Sequence, residues 1–487
     1  MALSTTPPPG SSRLVPGQRL TVRLERPAAQ GRTVAIRDGM ALLVSRGVPG
    51  EEVEAEVDKV AARHALAHVV SVRSAAPERI EPPCPHFAHC GGCDLQHLAY
   101  PAQLALKRQV FLDQLSRIGR QEAPSFDVAP APAPLRYRDR LDFLLRRDGD
   151  GLRPAFHGAH GGPALPVADC RLAAEELTRL AQDIADALTR LPAEATPERV
   201  QVQAFAQEGA SAFAATLVAA TSASARALAR LRERWLPPLL ADRPALIHVA
   251  IAVQSGKNGR GIGEFEADES DNSGAATVLH GAPLLARRVG SWSYRVPPQA
   301  FFQVDAAHAV RLVLHVMEEL NRRLGGGAAG QAVFDLFCGT GLFSLPLAAA
   351  GYRVLGIEAS AGAVRAARVS AREAQARQEF GASGRKPKFK VRDLDGKGSL
   401  EAIVGQAGRP AAVVLDPPRR GLSAHLTRSL SAVRPAVMIY VSCDGSTFAR
   451  DAARLAERYT LATVMGFDLF PQTHHLEIVG TFLPRMD

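Results

Sequence analysis

VFDLFCGTGLFSLPLA, residues 333–348, decides the fold: an apolar strand that ends at Asp335, a turn carrying Gly339 and Gly341, then the start of a helix. Glycines let backbone approach a ligand where a Cβ would collide, and the first strand-to-helix turn of a parallel sheet faces the crevice beyond the strand ends. The next strand, RVLGIEAS, closes on Glu358, nineteen residues after Gly339, where a carboxylate can accept hydrogen bonds from ribose hydroxyls. A third strand, KFKVRDLD, places Asp393 at the following tip, suited to an adenine amino group. Acids on three successive strand ends beside Gly-x-Gly point to S-adenosylmethionine. A nicotinamide dinucleotide would want a third glycine where Ser344 stands.

Outward from this stretch, a Gly-rich break at 325–330 introduces alternating strand and helix patterns that run to the C-terminus. That alternation predicts a doubly wound α/β domain over residues 297–487. Two further strands of it carry chemistry. PAVMIYVSCDGSTFARD is an apolar strand ending at Cys443, so this thiol opens into the same crevice as the cofactor. AAVVLDPPRRG puts Asp416 at a tip, with two prolines fixing the turn and Arg419 and Arg420 close by, and FPQTHHLEIV brings Glu477 between two β-like runs.

Those residue types suit one reaction. Carbon 5 of a uracil is too weak a nucleophile to take a methyl group unaided, but a thiolate added at carbon 6 generates an enolate at carbon 5. After transfer a base must remove the carbon 5 proton before the thiol can leave, and a carboxylate such as Glu477 fits. A free thiol has a pKa of about 8.5, so Cys443 needs a neighbouring base or a positive site.

The remainder of the chain is longer than this domain. At about 150 residues per domain, 487 residues predict roughly three. Apolar residues make 46% and charged residues 22%, which excludes a globally disordered scaffold. No apolar run approaches the roughly 18 residues of a bilayer span, and MALSTTPPPG lacks the pattern of a secretory leader, so a cytoplasmic protein without membrane attachment is expected. Fifty-eight basic against 49 acidic residues leave +9, which favours a polyanionic partner. Residues 1–13 read as a flexible tail. Over 14–74, short β-type runs between Gly and Pro turns predict a five-stranded, OB-like β-barrel, with Arg23, Arg26, Arg32, Arg37, Arg46, Lys59 and Arg63 as a basic surface for nucleic acid. Residues 75–296 read as an α+β middle domain, opening with an amphipathic helix near 100–118 that can pack on the catalytic domain.

The six cysteines are too few and too uneven for a disulfide framework. Cys84, Cys90 and Cys93 lie in CPHFAHCGGC, with five and then two residues between them, and Cys170 follows much later. Such a set can surround a [4Fe-4S] cube, while structural zinc is the rival, with His86, His89 and His97 nearby.

Taken in order, APERIEPPCPHFAHCGGCDLQH, FFQVD, DLFCGTG, LDPPRRG, VSCDGSTFARD and FPQTHHLE resemble the bacterial RNA uracil-C5 methyltransferases, specifically the 23S rRNA branch. The resemblance covers most of the chain. It implies a TRAM barrel, a [4Fe-4S] cluster on Cys84, Cys90, Cys93 and Cys170, a class I Rossmann-like methyltransferase domain, Cys443 as nucleophile and Glu477 as base. It further implies that Gln303 of FFQVD contacts S-adenosylmethionine beside Asp335, Phe337, Gly339, Gly341, Glu358 and Asp393, with Asp416 in the pocket toward the target uracil. RNA is the implied partner, with no obligate protein partner. Where the family usually carries Asp-Pro-Ala-Arg and Cys-Asn-Pro, this chain has Asp416-Pro417-Pro418-Arg419 and Cys443-Asp444-Gly445, and the basic stretch 381–388 is an insert. His474-His475 is closer to the tRNA-modifying branch, which lacks both barrel and cluster.

Three rival readings are separable. A cytosine-C5 enzyme would set its cysteine after proline; an exocyclic-amine enzyme would need an aromatic residue where Arg419 stands; an RNA-binding iron–sulfur factor with a dead domain would not bind S-adenosylmethionine.

Overall fold

The computed structural model describes residues 14–207, 210–253, 276–300, 302–303, 306–325, 330–381, 385–396 and 398–486. The tail 1–13 and part of the 381–388 insert lie outside these residues. Two compact units divide the chain.

The first comprises residues 1–110, 158–163 and 470–475. Its sheet has six strands, in the order Arg19–Arg23, Glu52–Val60, His64–Ser74, Met40–Ser45, Arg32–Arg37 and Arg26–Ala28. Five were expected. The sixth, Arg26–Ala28, is three residues long and includes Pro27, so propensity hides it, and only its pairing with Arg32–Val34 makes it a strand. Alternation is clean on Glu52–Val60, where Val53, Ala55 and Val57 turn into the core with Leu24, Leu42 and Val44. Glu51 is fully buried and ties the segment after the sheet back to it, accepting from Arg79 Nη2 (2.8 Å) and the Val48 N–H (2.9 Å).

The second unit comprises residues 111–157, 164–469 and 476–487. It holds a seven-stranded sheet from Arg140 to His280, covered by helices Glu175–Leu188, Ser222–Arg230 and Arg232–Asp242 through Leu177, Leu180, Ile184 and Trp235. Its eight-stranded sheet runs Lys388–Val391, Arg353–Glu358, Ala332–Leu336, Ala412–Leu415, Val437–Ser442, Glu477–Pro484, Tyr459–Phe467 and Val128–Ala129. The first five strands are parallel and Glu477–Pro484 is antiparallel to its neighbours. Parallel strands deliver their C-terminal ends to one edge, which is where a ligand crevice forms.

The expected boundaries move. The division leaves 75–110 with the six-stranded sheet, and Val128–Ala129 joins the methyltransferase sheet beside Gly466–Phe467. A two-residue strand carries no period, so only long-range pairing reveals it. The hairpin Leu285–Val289/Trp292–Val296 also packs on this half, through Tyr294 OH to Leu342 O (2.9 Å) and the Arg295 N–H to Ser370 Oγ (2.8 Å). Phe111 and Leu115 of helix Tyr100–Arg117 sit in the same core cluster as Phe334, Tyr440 and Phe448.

Candidate active site

The glycine turn follows directly from strand Ala332–Leu336. Gly341 has φ +93°, and a Cβ there would stand 3.1 Å from Leu345 Cδ1 and 3.4 Å from the Phe389 ring, so glycine is required by conformation and by space. Gly339 has φ +51° and opens onto free space. Phe337 adopts φ +62° without being glycine, a cost accepted where the chain turns over the strand end.

Glu358 sits at the end of the second strand and braces this turn: its Oε2 accepts the Gly339 N–H (3.2 Å) and its Oε1 the Ser360 N–H (2.7 Å). Asp335 lies beneath the turn, fully buried, with Oδ2 accepting from Ser344 Oγ at 2.5 Å and Oδ1 without a protein partner. Burial, reinforced by Glu358, raises its carboxyl to about 7. Asp335 therefore buttresses the turn rather than projecting from the strand tip. Asp393 falls two residues past its strand, exposed, and its Oδ1 caps the Asp395 N–H (2.9 Å). Gln303 is buried, with Oε1 lacking a partner among the described residues. The ring of its neighbour Phe302 lies 5.6 Å from that of Tyr294, whose hydroxyl bonds Leu342 of the turn. An open glycine turn, an acid at the second strand and an orphaned buried amide oxygen fit the amino-acid and ribose ends of S-adenosylmethionine.

Cys443 follows Val437–Ser442, a strand buried along its whole length. Asp444 then caps helix Gly445–Leu455, its Oδ1 accepting the Thr447 N–H (2.7 Å) and Ser446 Oγ (2.6 Å). Gly445 makes room for Phe111 and Gln114 of helix Tyr100–Arg117, which a Cβ there would meet. Ser442 pairs with Ile478 at the end of the antiparallel ladder; Cys443 is the next residue, in a bend just past its strand, and Glu477 begins the neighbouring strand one residue before Ile478.

Electrostatics follow from burial. Glu477 is almost fully buried, and desolvation raises its carboxyl to about 7 against a lowering influence from Arg419. Burial also pushes the Cys443 thiol up strongly, and Glu477, Asp416 and Asp444 add to it, while Arg419 acts the other way. Asp416 directly follows strand Ala412–Leu415. Cys443, Glu477 and Asp416 thus lie close enough to act on one another, and Arg419, noticed in the sequence only as a nearby charge, is a cation that favours the thiolate. Its neighbour Arg420 turns to Asp395 instead (2.6 Å).

The cysteine turn belongs to the first unit. Cys84 N–H donates to Gln96 Oε1 (3.1 Å), Gln96 Nε2 donates to Cys93 Sγ (3.1 Å), and the Gly92 N–H lies 3.4 Å from Cys90 Sγ. N–H donors aimed at sulfur suit thiolate ligands. His97 is buried against Phe87, and burial lowers its imidazole to about 4. Cys170, in the second unit, lies beside Arg136, which donates to its carbonyl (2.9 Å). Elsewhere among the described residues, Asp58, His68 and His160 group their ligand atoms, but the two rings stack at 4.5 Å and 22°, so their lone pairs run nearly parallel instead of converging on an ion.

A parallel sheet with this glycine turn and second-strand acid defines an S-adenosylmethionine-dependent methyltransferase domain. Residues 285–486 match the family model described as tRNA (Uracil-5-)-methyltransferase. An RNA methyltransferase of Nitratidesulfovibrio vulgaris, named as uncharacterized, is 31% identical over 95% of both chains. The 23S rRNA (uracil(1939)-C(5))-methyltransferase RlmD of Shewanella amazonensis is 30% identical over 96% of both. The crystal structure of Pyrococcus abyssi tRNA (uracil-54, C5)-methyltransferase with S-adenosyl-L-homocysteine shares the fold, with TM-score 0.65 at 22% identity over 96% of this chain and 99% of that one. The chain belongs to the RNA uracil-C5 methyltransferase family. No helix among the described residues is long and apolar enough to cross a membrane.

Proposed function

We propose that this protein methylates carbon 5 of one uridine in 23S rRNA, with Cys443 as the nucleophile and Glu477 as the base. The observation that carries this reading is the placement of Cys443 directly after strand Val437–Ser442 and of Glu477 at the start of the antiparallel strand beside it, with the Glu477 carboxylate acting on the thiol. The Cys443 thiolate adds to carbon 6 and drives electron density to carbon 5 as an enolate. The glycine turn, Glu358 and Gln303 would hold S-adenosylmethionine, which would supply the methyl group to carbon 5 and leave as S-adenosylhomocysteine. Glu477 then takes the carbon 5 proton, the ring electrons return to the carbon 5–carbon 6 bond, and the thiolate leaves. Arg419 stabilises the thiolate before attack, and Asp416 borders the space for the uracil.

Choice of 23S rRNA rests on the name borne by the Shewanella relative and on likeness along the full chain, including the N-terminal sheet, which we read as an OB-like TRAM barrel. The net charge of +9 suits phosphate contact. Extruding a base costs a few kcal/mol, least in a loop, so an unpaired target is favoured. RNA carrying 5-fluorouridine tests the reading, because fluorine cannot leave as a proton. Its methylated adduct is expected on the Cys443 peptide by mass spectrometry, and recovery of free RNA alone would refute the mechanism.

Cys84, Cys90, Cys93 and Cys170 are read as ligands of a [4Fe-4S] cluster with a structural or RNA-contacting role. Protein isolated without oxygen is expected to hold about four iron and four sulfide per chain, with Cys84→Ser and Cys170→Ser each losing both. One zinc and no sulfide would establish the rival.

A further inference from the structure

Asp451 is fully buried on helix Gly445–Leu455, and its carboxylate gathers three separate elements. Oδ2 accepts the Leu422 N–H (2.8 Å), which belongs to the loop begun at Asp416, and the Tyr440 hydroxyl (3.0 Å), on the strand that ends just before Cys443. Oδ1 accepts from Arg450 Nε (3.0 Å) and Arg454 Nη1 (3.0 Å) of its own helix. Those two guanidinium groups extend the clamp, Arg450 Nη2 donating to Arg420 O (2.7 Å) and Arg454 Nη1 to Leu422 O (3.1 Å). Between these anchored carbonyls lies Gly421 at φ +71°, where a Cβ would collide with Thr447, Asp451 and Arg450. The loop thus lies directly on the helix. A buried carboxylate costs more to desolvate than an apolar side chain of equal volume, so its retention points to a task other than bulk stability.

We infer that Asp451 is a positioning residue, fixing the Asp416–Leu422 loop so that Arg419 and Asp416 stay in register with Cys443. The inference rests on the reading of Cys443 as nucleophile. Arg419 favours the ionisation of that thiol, while Glu477, Asp416 and Asp444 oppose it, the influence of Arg419 exceeding that of Asp416. Glu477 is held by the sheet and Asp444 by its cap, independently of Asp451. Loosening the loop therefore withdraws Arg419 together with the weaker, adverse Asp416, and leaves the adverse Glu477 and Asp444 in place.

The test is the pH dependence of Cys443 alkylation by iodoacetamide in the full-length protein, read on the Cys443 peptide, for Asp451→Asn and Tyr440→Phe. Iodoacetamide reacts with the thiolate, so the midpoint in Asp451→Asn is expected to rise by about one pH unit, which is tenfold less thiolate at fixed pH. S-adenosylmethionine affinity stays within about twofold, kcat falls more than KM for RNA rises, and Tyr440→Phe shows a smaller shift of the same sign. Where Asp451→Asn does not fold, Tyr440→Phe decides. Profiles that superimpose on the wild type, with only the melting temperature lowered, would overturn the assignment. Alkylation needs no RNA, so this failure is distinct from failure of the catalytic reading, which shows as no adduct on 5-fluorouridine RNA with the unaltered enzyme.

Discussion

Cys443→Ala is expected to lower 5-methyluridine formation by about 10⁵-fold, the scale seen when an enzyme loses the nucleophile of a covalent mechanism. Binding of S-adenosylmethionine is expected to stay intact, because the glycine turn, Glu358 and Gln303 belong to other elements. Cys443→Ser keeps the shape but offers an alkoxide that barely forms near neutral pH, so it is expected to be nearly as inactive. Single-turnover methyl transfer beside calorimetric cofactor titration checks both halves. Activity within tenfold of the wild type in either variant would remove the thiol from the reaction.

Glu477→Gln is expected to slow turnover by about 10³-fold, within the range for loss of a general base, and to leave the methylated adduct on Cys443 with ordinary RNA. Accumulation separates this variant from one that merely binds poorly. Burial holds the Glu477 carboxyl near 7, and a base must be ionised, so proton removal is expected to rise with pH through about 7 and then level off. That rise is expected to vanish in Glu477→Gln, as read by release of tritium from carbon 5 of labelled RNA. The sign for stability is opposite. Because the folded value lies above the usual 4.5, the native state retains a proton that the unfolded chain has released, and its contribution to stability falls as pH rises from about 4.5 to about 7. Urea unfolding of the two proteins across that window is expected to show Glu477→Gln gaining relative stability with pH.

The methyltransferase half is written locally, which is why it reads well from sequence. Strand, glycine turn and helix between Val333 and Ala348 lie within one short stretch, and Cys443 closes an apolar run whose end is self-evident. Glu358 likewise sits where strand length puts it. Asp335 does not: its strand runs one residue further, to Leu336, and the carboxyl turns under the loop to meet Ser344. Nor does Asp393, which caps a turn beyond its strand. Val128–Ala129 is a strand only through Gly466–Phe467, far away in the sequence, which no local pattern encodes, while Arg26–Ala28 pairs with the nearby Arg32–Val34 but is too short and carries a proline. Asp451 closes the motif VSCDGSTFARD, and nothing in that motif marks it as buried. Its burial depends on a loop thirty residues upstream, reached through Arg420 and Leu422.

The reversed direction of strand Glu477–Pro484 has one more consequence. Ser442 and Ile478 form the last pair of their ladder, so the gap between the Cys443 sulfur and the Glu477 carboxylate is set beside a pair held by main-chain bonds. Local fraying of surface segments is then expected to spare that gap, and the two halves of the reaction are lost together, at the temperature where the sheet itself gives way.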